Sequence, residues 1–88
     1  MVSARQRGGP YKNTLFELSD AAGLSMREIA KATEINLAYL SEMFNGHYSI
    51  TKVDMEKRIK LYQVLNCTSE MIYPNREIFR VAMGELKW

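Results

Sequence analysis

The sequence is poor in residues that cross-link a chain or ligate a metal. It contains one cysteine, Cys67, and one histidine, His47. A disulfide needs two cysteines and a structural zinc site about four ligands, so we expect neither, and no cofactor. Long apolar runs are also missing, since none approaches the roughly 20 residues that span a bilayer. These absences predict a soluble cytoplasmic protein with no membrane partner.

The sequence also lacks the patterns that accompany common catalytic sites. It contains no nucleophile elbow, no phosphate-binding loop and no pair of carboxylates placed for acid–base work. His47 has no second ligand or nucleophile that would make it a metal ligand or a catalytic base. We therefore expect that the protein is not an enzyme, and that Cys67 is a small buried hydrophobic residue.

Charge is distributed unevenly along the chain. The net charge of +2 is too small to indicate a nucleic-acid partner by itself. Residues 1–12 carry three basic side chains and no acidic one, whereas residues 13–50 carry two basic and five acidic ones, a balance of −3. Basic side chains that neutralise phosphates supply most of the non-specific affinity of a protein for DNA. The acidic segment, residues 13–50, would repel DNA, so the basic residues of segment 1–12 would have to compensate if DNA is the partner.

The 88 residues suffice for one domain. Gly8, Gly9 and Pro10 interrupt a polar, basic opening, which predicts a flexible basic arm over residues 1–11. Residues 12–74 are expected to form an all-α domain, and residues 75–88 a helical extension. The apolar content of the extension predicts that it packs either on the core of its own domain or on a second copy of the chain. We favour a dimer interface anchored by Phe79, Met83, Leu86 and Trp88.

Helix boundaries follow from capping signals. Asn13 is the predicted N-cap of a first helix that ends at Gly23, and Ser25 with Glu28 predicts a capping box for the second. Asn36 caps a third helix that ends at Asn45-Gly46. The predicted inward-facing side chains are Leu15, Leu18 and Ala22 in the first helix, Ile29, Ala30 and Ala32 in the second, and Leu37, Leu40, Met43 and Phe44 in the third.

Three further helices are predicted towards the C-terminus. A fourth helix starts at Thr51 and carries an apolar stripe of Met55, Ile59, Tyr62 and Leu65, which leaves the lysines of this region to solvent. A short helix over residues 69–73 stops before Pro74, because proline disfavours a helical residue ahead of it. A last helical segment spans residues 76–87.

The second and third helices have the pattern of a helix-turn-helix. A small residue in the first helix (Ala30), an apolar one in the turn (Ile35) and another in the second helix (Leu40) hold the two helices at a steep crossing angle. The outer face of the second helix then projects from the domain. Such a helix fits the major groove of DNA, with its N-terminal residues nearest the base edges.

The chain resembles the phage-repressor and Cro family of helix-turn-helix regulators, also called xenobiotic-response-element-like regulators. The resemblance lies in "GLSMREIAKATEINLAYLSEMFNG" and "LYQVLNCTSEMIY" and covers residues 13–73. It implies a compact five-helix lambda-repressor-like fold, a recognition helix over residues 36–44, and a homodimer bound to double-stranded DNA. Glu34 stands where the family has glycine in the turn, which predicts a left-handed backbone or a different turn.

The resemblance also assigns roles to individual residues. The expected base contacts are Leu37, Ala38, Tyr39 and Glu42, although Tyr39 is equally well explained as a packed aromatic with its hydroxyl at the surface. The expected DNA backbone contacts are Ser25, Arg27, Lys31, Asn36, Asn45, His47, Tyr48 and Lys52. Arg5 and Arg7 are expected to follow the minor groove or neighbouring phosphates.

Three functions remain open at this point. The first is a sequence-specific DNA-binding transcriptional regulator, a repressor that occupies an operator. The second is an antitoxin of the same fold, which would hold a toxin partner with residues 75–88. The third is a protein-interaction module that has lost DNA binding, which the acidic motif and the apolar face of the third helix would permit.

Overall fold

The computed structural model describes residues 9–84, and all the regular secondary structure within this range is helical. The expectation of an all-α fold is therefore confirmed. The elements are α1 (Leu15–Ala22), α2 (Met26–Thr33), α3 (Leu37–Phe44), a 3-10 turn η1 (Ile50–Lys52), α4 (Met55–Leu65), α5 (Ser69–Ile72) and α6 (Arg76–Ala82). None of these described helices is long and apolar enough to cross a membrane.

Helix α1 starts one residue later than predicted. Thr14 occupies the N-cap position, but Asn13 supplies the capping acceptor, since its Oδ1 accepts a hydrogen bond from the amide of Leu15 at 2.9 Å. The side chain of Thr14 instead donates to the carbonyl oxygen of Met71 at 2.7 Å, which ties the start of α1 to α5. The helix ends at Gly23, whose φ of 72° is the left-handed value predicted for its C-cap.

The inward faces of α1 and α2 differ from the predicted ones. In α1, Phe16 and Ser19 are buried with Leu15, whereas Leu18 is half-buried and Ala22 is exposed. In α2, Ile29 is buried as predicted and Thr33 joins it, whereas Ala30 is half-buried and Ala32 is exposed. In α2, which packs against both α3 and α4, the buried residues are those that face these two neighbours.

Helix α4 is the largest correction to the sequence prediction. It starts at Met55 rather than Thr51, because η1 and the extended backbone at Val53 interrupt the chain before it. Met55 is 61% exposed and Ile59 44% exposed, so the first half of the predicted stripe faces outwards. Its second half is confirmed, since Leu65 is buried and Tyr62 half-buried, and the other buried position of α4 is Leu61, which the predicted stripe did not include.

The core lies between the helices and is continuous. The rings of Phe16 in α1 and Phe44 in α3 meet edge to face, with centroids 5.1 Å apart. Cys67 is buried in this core as predicted, and burial raises the pKa of its thiol. The buried apolar residues are Leu15, Phe16, Ile29, Ile35, Leu40, Met43, Phe44, Ile50, Val53, Leu61, Leu65, Cys67, Ile72, Tyr73 and Ala82.

Helix α6 covers the core of its own domain. Ala82 is buried, and its carbonyl oxygen accepts hydrogen bonds from the hydroxyls of Ser49 and Thr51 beside η1. Phe79 and Met83, two predicted dimer anchors, are half-buried against the same core. The helix ends at Ala82, five residues before the predicted end. The other two anchors, Leu86 and Trp88, lie outside the described residues.

Candidate nucleic-acid interface

Helix α2 starts with the predicted capping box. The Ser25 hydroxyl accepts a hydrogen bond from the Glu28 amide at 3.1 Å, and the Glu28 carboxylate accepts one from the Ser25 amide at 2.8 Å. Hydrogen bonding of the Glu28 carboxylate to the Ser25 backbone amide, and secondarily to the Ser25 side chain, lowers the pKa of Glu28. The box fixes the direction in which the chain enters α2.

The turn between α2 and α3 uses a left-handed glutamate. Glu34 has φ of 63°. Of the two alternatives predicted for a turn without glycine, a left-handed backbone and a different turn, the left-handed backbone is the one that occurs. The Glu34 carboxylate lies 3.3 Å from the Lys60 ammonium of α4. Next to it, the buried Thr33 hydroxyl donates to the Ile29 carbonyl at 2.7 Å and accepts from the Ile35 amide at 3.3 Å. The turn is therefore held by contacts with α2 and α4.

Helix α3 presents one buried face and one exposed face. The Asn36 side chain caps it as predicted, accepting from the amides of Ala38 and Tyr39 at 2.9 and 3.3 Å. Leu40, Met43 and Phe44 have no accessible surface and fasten the helix to the core. The exposed residues Leu37, Ala38 and Glu42 form what we term the α3 outer face. Three of the four predicted base-contacting residues therefore share one accessible surface. The prediction that Leu37 faces inwards with Leu40 is wrong, because Leu37 is 37% exposed in the first turn of the helix.

Tyr39, the fourth predicted base contact, is a packed aromatic. Its ring lies on that of Tyr48, with centroids 5.0 Å apart and planes tilted by 31°. The Tyr39 hydroxyl is shielded from solvent and has no hydrogen-bond partner among the described residues. Burial, followed by the nearby Tyr48, raises the pKa of Tyr39. The packed alternative is therefore correct for the ring, but it placed the hydroxyl at the surface, whereas the hydroxyl is buried.

A small cavity lies where α3 and α4 begin. Its volume is about 190 Å³, and it is lined by Ile35, Asn36, Tyr39, Lys52, Val53, Asp54 and Lys57. Three residues predicted to contact DNA, namely Asn36, Tyr39 and Lys52, thus meet in one place. Lys57 was missed because its sequence neighbourhood, Lys57 to Lys60, suggested a solvated face. Two ammonium groups, offset by the single carboxylate of Asp54, suit a phosphate-sized anion at its mouth.

The remaining predicted backbone contacts are distributed around α2 and α3. Ser25, Arg27 and Lys31 are exposed along α2, and His47 and Tyr48 are exposed just after α3. Asn45 is half-buried, and its side-chain amide donates to the Ser41 carbonyl at 2.9 Å, so that group is engaged in closing α3. Arg5 and Arg7 lie outside the described residues.

Two further features of the described surface are the lack of a metal site and the presence of a second cleft. Residues 9–84 contain no cluster of three or more potential metal-ligating side chains. A larger, open cleft of about 810 Å³ lies beside α5 and α6, and its lining shares no residue with α3. It is lined by Glu70, Tyr73, Pro74, Arg76, Phe79 and Arg80.

Comparisons with known proteins give no assignment. No protein-family model matches the chain. A search of the curated proteins and one of the solved structures likewise return no match.

Proposed function

We propose that the protein is a sequence-specific regulator that binds double-stranded DNA and acts as a repressor by occupying an operator. The observation that carries the proposal is the two-sided character of α3, whose inner residues Leu40, Met43 and Phe44 are completely buried while its outer face is open to solvent. The resemblance to phage repressors and Cro proteins adds a reason to choose DNA as the partner.

The dimensions of α3 suit the major groove. An α-helix with side chains is about 10–12 Å across and the groove is about 12 Å wide. Leu37 and Ala38 would contact thymine methyl groups, and Glu42 would accept a hydrogen bond from a cytosine amino group. We therefore propose a site read mainly through pyrimidines. As a homodimer, the protein would bind two half-sites separated by about one helical turn, or 34 Å.

The cavity at the start of α3 would receive a backbone phosphate. Asn36 and the two lysines Lys52 and Lys57 line it together. A phosphate held there would fix the register of α3 in the groove without reading sequence.

Selection of bound duplexes from a random pool tests the proposal directly. The recovered sequences are expected to share a motif, and a two-fold repeat would reveal the dimer. Glu42→Gln is expected to change the preferred base at one position, since a mismatched base contact is worth about 1–3 kcal/mol. Glu77→Gln, on the exposed surface of α6, is the matched control. Recovery of no motif, or an equal effect of the two variants, would contradict the proposal.

Salt dependence tests the phosphate contact separately. Lys52→Gln is expected to weaken binding to all duplexes similarly and to reduce the slope of log affinity against log salt by about 1. Arg80→Gln removes one exposed positive charge from α6 and is expected to leave that slope unchanged. Parallel changes in both variants would mean that only the net charge matters.

A protein-interaction module is the second candidate, and one observation favours it. Leu37 is 37% exposed on α3 and Tyr48 is 41% exposed nearby in sequence, so apolar surface is available where a DNA reader more often has polar groups. Titration with random duplex at low salt separates the candidates. Complete absence of binding would favour the protein-interaction module.

A further inference from the structure

The cleft beside α5 and α6, which we term the α5–α6 cleft, has the size and lining of a ligand site. Its volume is about 810 Å³, within the roughly 300–1,000 Å³ of small-molecule pockets. The exposed Pro74 and the half-buried Phe79 supply apolar surface, whereas Glu70, Arg76 and Arg80 supply exposed charges. Such a lining suits a ligand that has an apolar body and a charged end.

The two arginines of the cleft are available to an anion. Arg76 and Arg80 lie one helical turn apart in α6, so their Cβ atoms share one side of the helix, next to Phe79. Among residues 9–84, neither guanidinium forms an ion pair or a side-chain hydrogen bond. A guanidinium can bind a carboxylate through two parallel hydrogen bonds, and its flat face also stacks on aromatic rings.

The charge of the cleft favours a single negative charge on its ligand. Arg76 and Arg80 contribute two positive charges and Glu70 contributes one negative charge, so the balance is +1. A carboxylate neutralises this balance. A phosphate monoester, with close to two negative charges, would face the repulsion of Glu70 without a further cation. The apolar surface of Phe79 favours a ring as the body of the ligand. The lining therefore describes an aromatic monocarboxylate.

Tyr73 connects the cleft to the candidate DNA interface. It lines the cleft, and its hydroxyl accepts a hydrogen bond from the Ile50 amide of η1 at 3.0 Å. The Ala82 carbonyl of α6 also holds η1, since it accepts a hydrogen bond from the Thr51 hydroxyl at 3.0 Å. The last residue of η1 is Lys52, which lines the cavity at the start of α3. A ligand that fits the cleft stabilises this arrangement, because a ligand favours the conformation that it binds best.

We propose that the α5–α6 cleft binds a small aromatic monocarboxylate, and that this ligand is a corepressor that strengthens DNA binding through Tyr73. The ligand site does not depend on the proposed function, whereas the corepressor role rests on it. Tyr73 is a positioning residue, because it holds η1, and with it Lys52, beside the cavity that would receive a backbone phosphate.

Titration calorimetry with cinnamate tests the ligand site in the full chain. We expect a dissociation constant on the order of 1 mM, which is typical of so small a ligand. Cinnamamide has the same shape without the charge and is expected to bind about tenfold more weakly. Phenyl phosphate, with its higher charge, is also expected to bind more weakly than cinnamate. No saturable binding of cinnamate, equal binding of the amide, or tighter binding of the phosphate would overturn the proposal.

Three variants at exposed positions test whether cinnamate occupies the cleft. Arg76→Gln is expected to weaken its binding about tenfold. Arg27→Gln removes an exposed arginine of α2 and is the matched control, which should leave the affinity for cinnamate unchanged. Glu70→Gln removes the negative charge of the cleft and is expected to strengthen binding about threefold. Equal effects of the two arginine variants, or weaker binding by Glu70→Gln, would overturn the proposed site.

Duplex affinity with and without cinnamate tests the corepressor role. On a duplex recovered from the random pool, cinnamate near saturation is expected to strengthen binding about fivefold or more, and the duplex must strengthen cinnamate binding by the same factor. Tyr73→Phe keeps the ring and should still bind cinnamate, but the enhancement should disappear because the bond to η1 is lost. Thr51→Val removes the bond to Ala82 and should reduce the enhancement, which keeps the test decisive if Tyr73→Phe does not fold.

The possible failures of the two tests can be told apart. Duplex affinity that does not rise when cinnamate is bound would overturn the corepressor role, and so would an enhancement that persists in folded Tyr73→Phe and in Thr51→Val. Failure of the pool to yield any bound duplex would instead remove the proposed function. The calorimetric test would then still decide whether the α5–α6 cleft is a ligand site.

Discussion

The buried hydroxyl of Tyr73 accepts a hydrogen bond from the backbone amide of Ile50 at 3.0 Å, which links the residue after α5 to η1, 23 positions earlier in the chain. Tyr73→Phe keeps the ring but leaves this buried amide without its acceptor. We expect the variant to lose about 1–3 kcal/mol of unfolding free energy, measured by urea denaturation. Tyr48→Phe, at an exposed position, should change it by less than about 0.5 kcal/mol. Equal stability of the two variants would contradict the role given to Tyr73.

Alkaline pH is expected to destabilise the protein. Burial raises the pKa of Tyr39, Tyr62 and Tyr73, because each phenolate would lose solvation in the folded state. A raised pKa means that the folded protein holds the proton more tightly than the unfolded chain does. The stability so contributed is fully present below the unfolded-state value of about 10, and is lost as pH rises through the folded-state values.

Urea denaturation between about pH 8 and pH 11 measures this loss. Tyr73→Phe should show a shallower decline above about pH 10 than the native sequence, because it removes one of the three groups. A decline that is equally steep in the variant would assign the alkaline loss to other groups.

The left-handed backbone at Glu34 predicts a difference between two substitutions. Glu34→Gly and Glu34→Ala both delete the exposed ion pair with Lys60, but only alanine retains the Cβ that makes φ of 63° unfavourable. We expect the glycine variant to be more stable than the alanine variant by about 1 kcal/mol. Thermal unfolding of the two proteins in parallel provides the measurement. An alanine variant as stable as the glycine variant would show that the turn relaxes to another conformation.

Removal of α6 is expected to unfold the domain. A chain that ends at Pro74 loses the buried Ala82 and the half-buried Phe79 and Met83, which together contribute about 3 kcal/mol or more of apolar burial. Circular dichroism and light scattering should find it unfolded, whereas a chain that ends at Gly84 should remain folded. A folded monomer ending at Pro74 would instead support a role for α6 in dimer contacts.

Local signals in the sequence were sufficient for several helix ends, though not for the start of α4 or the end of α6. The Ser25–Glu28 capping box, the Asn36 cap and the left-handed Gly23 all occur as predicted, because each depends on residues within four positions of one another. The resemblance to the repressor family marks Glu34 as unusual, since that family has glycine in the turn. The spacing of apolar residues in α3 correctly places Leu40, Met43 and Phe44 on the inner face, but it also places Leu37 there, which is exposed.

Features that depend on contacts between distant segments could not be predicted in this way. Helix α4 has apolar residues on more than one side, and only its packing against the other helices selects Leu61 for burial over Met55 and Ile59. The Gly8–Gly9–Pro10 stretch suggested flexibility alone. The close approach of Gly9 to Gly46 joins positions 37 residues apart, and one sequence contains no signal that pairs them.

The ties between the start of α1 and later elements have a consequence for biosynthesis. The internal hydrogen bonds of α1 join residues close in sequence, but Asn13 finds its acceptor at Met43 only 30 residues later, and Thr14 finds the carbonyls of Met71 and Ile72 after 57 and 58 residues. The start of α1 therefore gains its full set of partners only after the residues of α5 have been synthesised.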